Sequence, residues 1–68
     1  MEKISIKKLC GKCNYFQYFD YEEIEKVNSL IKVKIYCIVC KALGREQTNY
    51  EYFSPEKWQA MINLARTL

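Results

Sequence analysis

Histidine is absent from this 68-residue chain, and glycine and proline are scarce, with two residues and one residue. The commonest general base is therefore missing, and so is a glycine-rich loop that could cradle a phosphate. The hydroxyls of Ser5, Ser29, Thr48 and Ser54 have no partnering base, and the carboxylates of residues 20–25 belong on solvated faces. We predict that the chain is not an enzyme and takes no small-molecule substrate.

Long apolar runs are absent as well. No stretch approaches the roughly 18 residues needed to span a bilayer, and residues 1–6 lack the apolar segment of a signal peptide. We therefore expect a cytoplasmic protein without a membrane partner. Because thiols stay reduced in the cytoplasm, the four cysteines are better interpreted as metal ligands than as a disulfide framework.

The chain length allows a single domain, residues 1–68. Half of the residues are apolar and 28% are charged, which is a composition that folds. A chain this short nevertheless buries only about 60% of its unfolded surface, so its hydrophobic core gives marginal stability unless a disulfide or a metal ion adds to it. A bound metal ion could supply the additional stability.

The cysteines form two Cys-x-x-Cys pairs, Cys10 with Cys13 and Cys37 with Cys40. Each pair bends the backbone so that both sulfurs can reach one tetrahedral zinc ion, at about 2.3 Å. Four protein ligands leave no open position for water or substrate, so we predict one structural zinc ion. Four thiolates with one divalent ion lower the formal net charge from +3 to about +1.

Both pairs stand where strands are expected to end, at Leu9–Cys10 and at Tyr36–Cys37. In this respect residues 9–41 resemble the zinc-ribbon group of folds, in which two Cys-x-x-Cys turns, called knuckles, hold one zinc ion. We call Cys10–Cys13 the first knuckle and Cys37–Cys40 the second. The proline inside the pair and the glycine after it, frequent in that group, are not both present in either knuckle. Gly11 and Asn14 could substitute, since both tolerate a left-handed turn.

Iron is the rival ion. Rubredoxins also use two Cys-x-x-Cys pairs, and Tyr15, Tyr18 and Asp20 are similar to their aromatic strand. The second knuckle lacks the proline and glycine of rubredoxins, and this chain is basic where those proteins are acidic. A rubredoxin-like electron carrier and a thiol redox protein stay open as alternatives.

The resemblance and the residue pattern together predict an α+β fold, a small zinc ribbon with three to four short antiparallel strands and a C-terminal helix. Alternation and aromatic content predict strands at 3–7, 14–21, 31–36 and 50–53. Ser54, Pro55 and Glu56 predict a helix start, and the helix should run over about 55–67. Its apolar stripe consists of Trp58, Met61, Ile62, Ala65 and Leu68.

Residues 21–28 admit two interpretations. Asp20 and Glu23 match a capping box, and Ile24, Val27 and Ile31 recur at helical spacing, which predicts a short helix. The alternative is a hairpin arm that turns at 28–29. Both remain open at the level of the sequence.

Basic residues cluster around both knuckles and could form one patch with a stacking ring at Tyr36. The candidate partner-binding residues are Lys7, Lys8, Lys12, Lys32, Lys34, Tyr36, Lys41 and Arg45. An ordinary solvated strand face, balanced by the acidic residues of 20–25, is the competing interpretation. Among the aromatics we expect burial of Phe16, Phe19, Phe53 and Trp58, while exposed tyrosines could contact a partner or a second copy of the chain.

These observations favour a small zinc-binding regulator or adaptor that binds a macromolecule. Zinc ribbons occur in transcription and translation machinery, and the near-neutral charge slightly favours a protein of that machinery over nucleic acid. A DNA- or RNA-binding zinc ribbon is the first alternative. The richness in Lys, Ile, Asn and Tyr suggests an AT-rich genome, and the size suits a phage- or bacterially encoded accessory protein.

Overall fold

The computed structural model describes residues 2–45 and 48–67, which form an antiparallel sheet with a helix packed on one face. The elements are β1 Lys3–Cys10, β2 Tyr15–Val27, β3 Leu30–Cys37, α1 Ile38–Ala42, β4 Thr48–Phe53 and α2 Pro55–Thr67. The strands are ordered β1-β2-β3-β4, and neighbours run antiparallel. The α+β class, the four predicted strands and the C-terminal helix are confirmed.

Of the two interpretations of 21–28, the short helix is wrong, because residues 21–27 belong to β2, which pairs here with β3 and, as far as Glu22, with β1. The register shifts between Glu23 and Glu25. This bulge interrupts the two-residue alternation of the strand. The apolar residues Ile24 and Val27 consequently lie three positions apart, a spacing that also suits a helix. The alternative hairpin is the observed structure.

The turn of this hairpin lies at Asn28 and Ser29, with φ angles of 50° and 67°. Two consecutive positive φ values are the mark of a type I′ turn, whose twist suits a tight hairpin. Asn tolerates this conformation better than most residues, which explains the position of the turn.

The hydrophobic core lies between one face of the sheet and α2. Cross-strand neighbours Ile4, Tyr21 and Ile35 lie at its centre, and Trp58 and Ile62 cover them from the helix. The Trp58 indole N–H donates to Glu23 Oε1 at 2.9 Å, so the largest core side chain leaves no polar atom unpaired. Burial of these apolar side chains is the main stabilising term outside the cysteine cluster.

The start of α2 follows the predicted pattern. Ser54 Oγ accepts a hydrogen bond from the Lys57 backbone N–H at 3.2 Å, and Pro55 is the first helical residue. Met61 and Ala65 pack against the core beside the fully buried Ile62. Leu68, the last member of the predicted stripe, lies outside the described residues.

Strand alternation places a second set of side chains on the face opposite α2. Asp20 is buried there and accepts a hydrogen bond from Ser5 Oγ at 2.7 Å, with Lys3 Nζ at 3.3 Å. We call this surface the open face. Its lysines and tyrosines are Lys3, Lys7, Tyr18, Lys32, Lys34, Tyr36, Tyr50 and Tyr52.

The expected burial of aromatic rings is correct in part. Phe53 and Trp58 are buried in a stacked pair with ring centroids 6.0 Å apart, and Phe19 is partly buried. Phe16 is 64% exposed, contrary to the prediction, because it lies on the open face opposite Leu9, away from α2. Neither helix in the described part of the chain has the length and apolarity to cross a membrane.

Candidate metal centre

The cysteines converge because β1 and β3 lie on either side of β2, run in the same direction and have their C-terminal ends at the same end of the sheet. Phe19 of β2 pairs with Ile6 on one side and with Cys37 on the other, and β1 continues to Cys10. Cys13 follows in the turn before β2, and Cys40 lies in α1. The register of three strands thus brings together two knuckles that are 23 residues apart in sequence.

The first knuckle is closed by a backbone turn. The Asn14 N–H donates to the Cys10 carbonyl at 2.8 Å, and Asn14 takes a positive φ of 59°. Asn14 therefore fulfils the expected left-handed role, whereas Gly11 is not among the positive-φ residues. The turn aims the sulfurs of Cys10 and Cys13 at one point.

The second knuckle is built differently, from a strand end and one helical turn. Cys37 precedes α1, and Cys40 lies inside it, almost fully buried. The Arg45 N–H donates to the Cys40 carbonyl at 2.8 Å, and Gly44 takes a positive φ of 75°, which glycine adopts without steric cost. These contacts hold the chain after α1 against the knuckle.

The four sulfurs form a cluster with tetrahedral dimensions. The Cys10–Cys40, Cys13–Cys37 and Cys13–Cys40 Sγ distances are 3.7, 4.0 and 3.6 Å, and all four sulfurs lie within 4.8 Å of one another. Metal–sulfur bonds of about 2.3 Å in a regular tetrahedron separate the sulfurs by about 3.8 Å. All four cysteines are free, and these separations far exceed a disulfide bond. The donor set therefore fits one tetrahedral ion.

The thiols of the cluster ionise unequally. The pKa of Cys10 is lowered to about 6, chiefly because the Cys13 backbone N–H donates to its sulfur. Burial raises the pKa of Cys40 to about 12 and also raises the pKa of Cys13. Crowding several thiolates in a buried site is unfavourable without a cation, so ion binding must displace protons from the cluster.

Arg45 contacts the cluster directly. Its Nη2 donates to Cys13 Sγ at 3.5 Å, which places a positive charge beside a sulfur ligand. The sequence predicts Arg45 as a partner-binding residue, but the structure directs it to the metal centre. Such contacts to ligand atoms orient the ligands and offset the negative charge of a tetrathiolate.

The other candidate partner residues lie at three places: on the open face, on the face that carries α2, and in the turn of the first knuckle. Lys7, Lys32 and Lys34 lie on the open face, and Lys41 reaches it from α1. Lys8 lies over the rings of Phe19 and Tyr21 on the face that carries α2, so it does not join them. Lys12 lies in the exposed turn of the first knuckle.

Tyr36 is not the exposed stacking ring that the sequence suggested. Its side chain is only 5% exposed, because Lys34 and Lys41 lie over the ring with Nζ 5.7 and 4.3 Å from the centroid. The exposed tyrosines of this face are Tyr18, Tyr50 and Tyr52. The alternation of β4 could have placed Tyr50 and Tyr52 on one face, but only the register joins them to Tyr18.

The described residues thus present a closed cluster of four cysteines that suggests a metal-binding small domain. Comparison of the chain with protein-family models, with curated proteins and with solved structures found no match.

Proposed function

We propose that this protein is a small non-enzymatic adaptor whose fold is held by one structural zinc ion and whose open face binds a macromolecular partner. The observation that carries the proposal is the four-sulfur cluster, with neighbouring sulfurs 3.6 to 4.0 Å apart at the junction of β1, β3 and α1. Residues 1–68 act as one domain, in the reducing cytoplasm that keeps these thiols free.

Zinc is favoured over iron on the chemistry of the donors. Thiolate sites bind zinc more tightly than ferrous iron in the usual order of divalent metals, and a tetrahedral sulfur cage suits an ion without geometric preference. Elemental analysis of the purified protein should find one zinc ion per chain in a colourless sample. A red, reducible iron centre would instead identify an electron carrier.

A structural rather than catalytic role follows from ligand number. Four sulfurs occupy every tetrahedral position, so the ion can neither activate water nor polarise a substrate. The bound ion contributes to stability instead. The large binding free energy of structural zinc, about 10 kcal/mol or more in zinc-finger peptides, would stabilise a chain whose core is small.

The chelator test addresses this role. Removal of zinc from the loaded protein should abolish the cooperative unfolding transition followed by Trp58 fluorescence, and re-addition of zinc should restore it. Cys40→Ser should behave like the metal-free protein, while Leu64→Ala, at an exposed site on α2, should retain zinc. Retention of the full fold in the metal-free state would reject the proposal.

The open face supports binding of a macromolecule. It combines exposed tyrosines, which are enriched at interfaces, with lysines that can pair with anionic groups. The near-neutral charge of the loaded chain is compatible with a protein partner, and transcription or translation machinery is the class that the zinc-ribbon resemblance suggests. The local positive charge of the open face, the surface that would make the contact, favours nucleic acid instead.

Capture from lysate tests for a macromolecular partner of either class. The zinc-loaded protein should retain a protein or a nucleic acid, and the double variant Tyr50→Ala/Tyr52→Ala should lose it while keeping its zinc. Tyr15→Ala is the matched control, because Tyr15 is exposed but lies at the metal end of β2 on the other face. Identical capture by all three proteins would remove the open face from the proposal.

A further inference from the structure

We infer that the open face binds single-stranded nucleic acid, with bases stacked on Tyr18, Tyr50 and Tyr52 and phosphates held by the lysines paired with them. The inference rests on the proposed function, since it names the chemical class of the macromolecular partner. It depends on a juxtaposition of residues from four strands that the sequence does not reveal.

Each exposed tyrosine of this face stands directly opposite a lysine on the neighbouring strand. Tyr18 pairs with Lys7, Tyr50 pairs with Lys34, and Tyr52 pairs with Lys32. The side chains at such positions are about 5 Å apart at Cβ. The open face therefore has three sites at which a tyrosine ring and a lysine ammonium group lie side by side.

The rings are available to a ligand. Tyr18, Tyr50 and Tyr52 are 51%, 52% and 51% exposed. The ammonium groups also lie near them: Lys7 Nζ is 5.9 Å from the Tyr18 centroid, and Lys32 Nζ is 4.9 Å from the Tyr50 centroid. A base that stacks on one of these rings would bring its phosphate within reach of the adjacent lysine.

Tyr36 forms the floor between these pairs rather than a stacking site. Lys34 and Lys41 cross its ring and hold their ammonium groups above the sheet. Lys3 also points to this region through its contact with Asp20. The centre of the face is therefore cationic, and the exposed rings lie on either side of it.

The charge of the open face is positive even though the loaded chain is nearly neutral. Among the described residues, its carboxylates are Asp20, Glu22 and Glu25, against the four strand lysines Lys3, Lys7, Lys32 and Lys34 and a fifth, Lys41, which reaches the face from α1. Asp20 is buried and already paired with Lys3, so it presents little charge to a ligand. Elsewhere, Glu2 pairs with Arg66 and Glu23 accepts from Trp58.

A single strand fits this surface better than a duplex does. Stacking on protein rings requires unpaired bases, whose faces a duplex conceals. The described open face is a sheet and presents no helix that could enter a major groove. Phe16, exposed on the same face opposite Leu9, extends the set of rings toward the metal centre.

Fluorescence anisotropy of labelled oligonucleotides tests the inference. The zinc-loaded protein should bind single-stranded probes of about 12 nucleotides of DNA and RNA more tightly than a duplex of the same length. Affinity should fall with salt, at about 0.7 logarithmic units per phosphate contact for each tenfold rise in salt concentration. Tighter binding of the duplex would overturn the inference.

Variants locate the contact. Tyr50→Ala/Tyr52→Ala should weaken binding about tenfold or more, whereas Tyr50→Phe/Tyr52→Phe should retain most of it, because the phenyl ring still stacks. Lys32→Gln/Lys34→Gln should reduce the salt slope. The matched control is Lys57→Gln, since Lys57 lies over the Phe53 ring at 5.4 Å but belongs to α2. Equal loss with Lys57→Gln or with Tyr15→Ala would contradict the assignment.

The two proposals fail separately. If a folded, zinc-loaded protein binds no oligonucleotide at low salt, the inference is overturned. If the same protein nevertheless captures a protein partner and loses it with the tyrosine double variant, the proposed function stands with a protein ligand. Zinc content and Trp58 fluorescence confirm folding for each variant, and the phenylalanine and lysine variants decide the matter if the alanine variant does not fold.

Discussion

Arg45 Nη2 lies 3.5 Å from Cys13 Sγ, so a side chain from the segment after the second knuckle contacts a ligand of the first. The Arg45 backbone N–H also donates to the Cys40 carbonyl at 2.8 Å. One residue thereby links the two knuckles from outside the cluster. Its charge would oppose the excess negative charge of four thiolates when a divalent ion is bound.

Replacement of Arg45 should therefore loosen the metal. We expect Arg45→Ala to weaken zinc binding about tenfold, within the range found for groups that contact metal ligands. Competition with a colorimetric chelator measures the change. Arg66→Ala is the control, because Arg66 pairs with Glu2 far from the cysteines in sequence and should leave zinc affinity unchanged. Equal affinities for all three proteins would show that the Arg45 contact is incidental.

Zinc affinity should depend steeply on pH. The ligands bind as thiolates, and burial raises the pKa values of Cys13 and Cys40, so both sulfurs carry protons at neutral pH before the ion binds. Acid adds competing protons, and apparent affinity must fall as pH decreases. Chelator competition across a pH series measures it, and proton release on titration with zinc is the independent check. A pH-independent affinity between pH 6 and 8 would contradict a thiolate site.

Ile62 tests the packing of α2 on the sheet. Ile62→Ala removes a fully buried side chain, and we expect the free energy of unfolding of the zinc-loaded protein to fall by about 2 to 4 kcal/mol. Leu64→Ala, at a site 63% exposed on the same helix, should change it by about 0.5 kcal/mol or less. Urea denaturation followed by Trp58 fluorescence compares them. Similar effects of both substitutions would show that α2 does not dock as described.

The turn between β2 and β3 offers a stabilising change. Ser29 has a φ of 67°, which is strained for an L-residue and free of strain for glycine. Ser29→Gly creates the Asn-Gly pair typical of type I′ turns and should raise the free energy of unfolding by about 0.5 to 1 kcal/mol. Thr67→Gly, in the last turn of α2, should not stabilise. A destabilised Ser29→Gly protein would argue against this turn.

The clustering of the four cysteines could be predicted from the sequence because the pattern is local. Cys-x-x-Cys spacing constrains two sulfurs within one turn, whatever lies between the pairs. The α2 start was equally legible, since Ser54 caps the first turn and Pro55 suits the first helical position. The alternation of 31–36 predicted β3 for the same kind of reason.

Residues 21–28 could not be assigned in this way. Helix and hairpin were both consistent with the spacing of Ile24 and Val27. The bulge in β2 interrupts the alternation of apolar and polar residues by which a strand is predicted from sequence. Pairing with β3, and with β1 as far as Glu22, decided it, because neighbouring strands satisfy backbone hydrogen bonds that a helix would otherwise satisfy internally. That pairing also gave Asp20 the partners Ser5 and Lys3 instead of a helix terminus.

The amino-acid sequence by itself determined the two Cys-x-x-Cys pairs, most of the strands and the terminal helix, since these depend on neighbours a few residues apart. Only the tertiary structure decided which basic and aromatic residues share a surface. A one-residue change in register moves a side chain to the opposite face. Alternation along β1 by itself places Lys7 and Lys8 on opposite faces, whereas the pairing register of four strands places Tyr18 and Tyr50 on the same one.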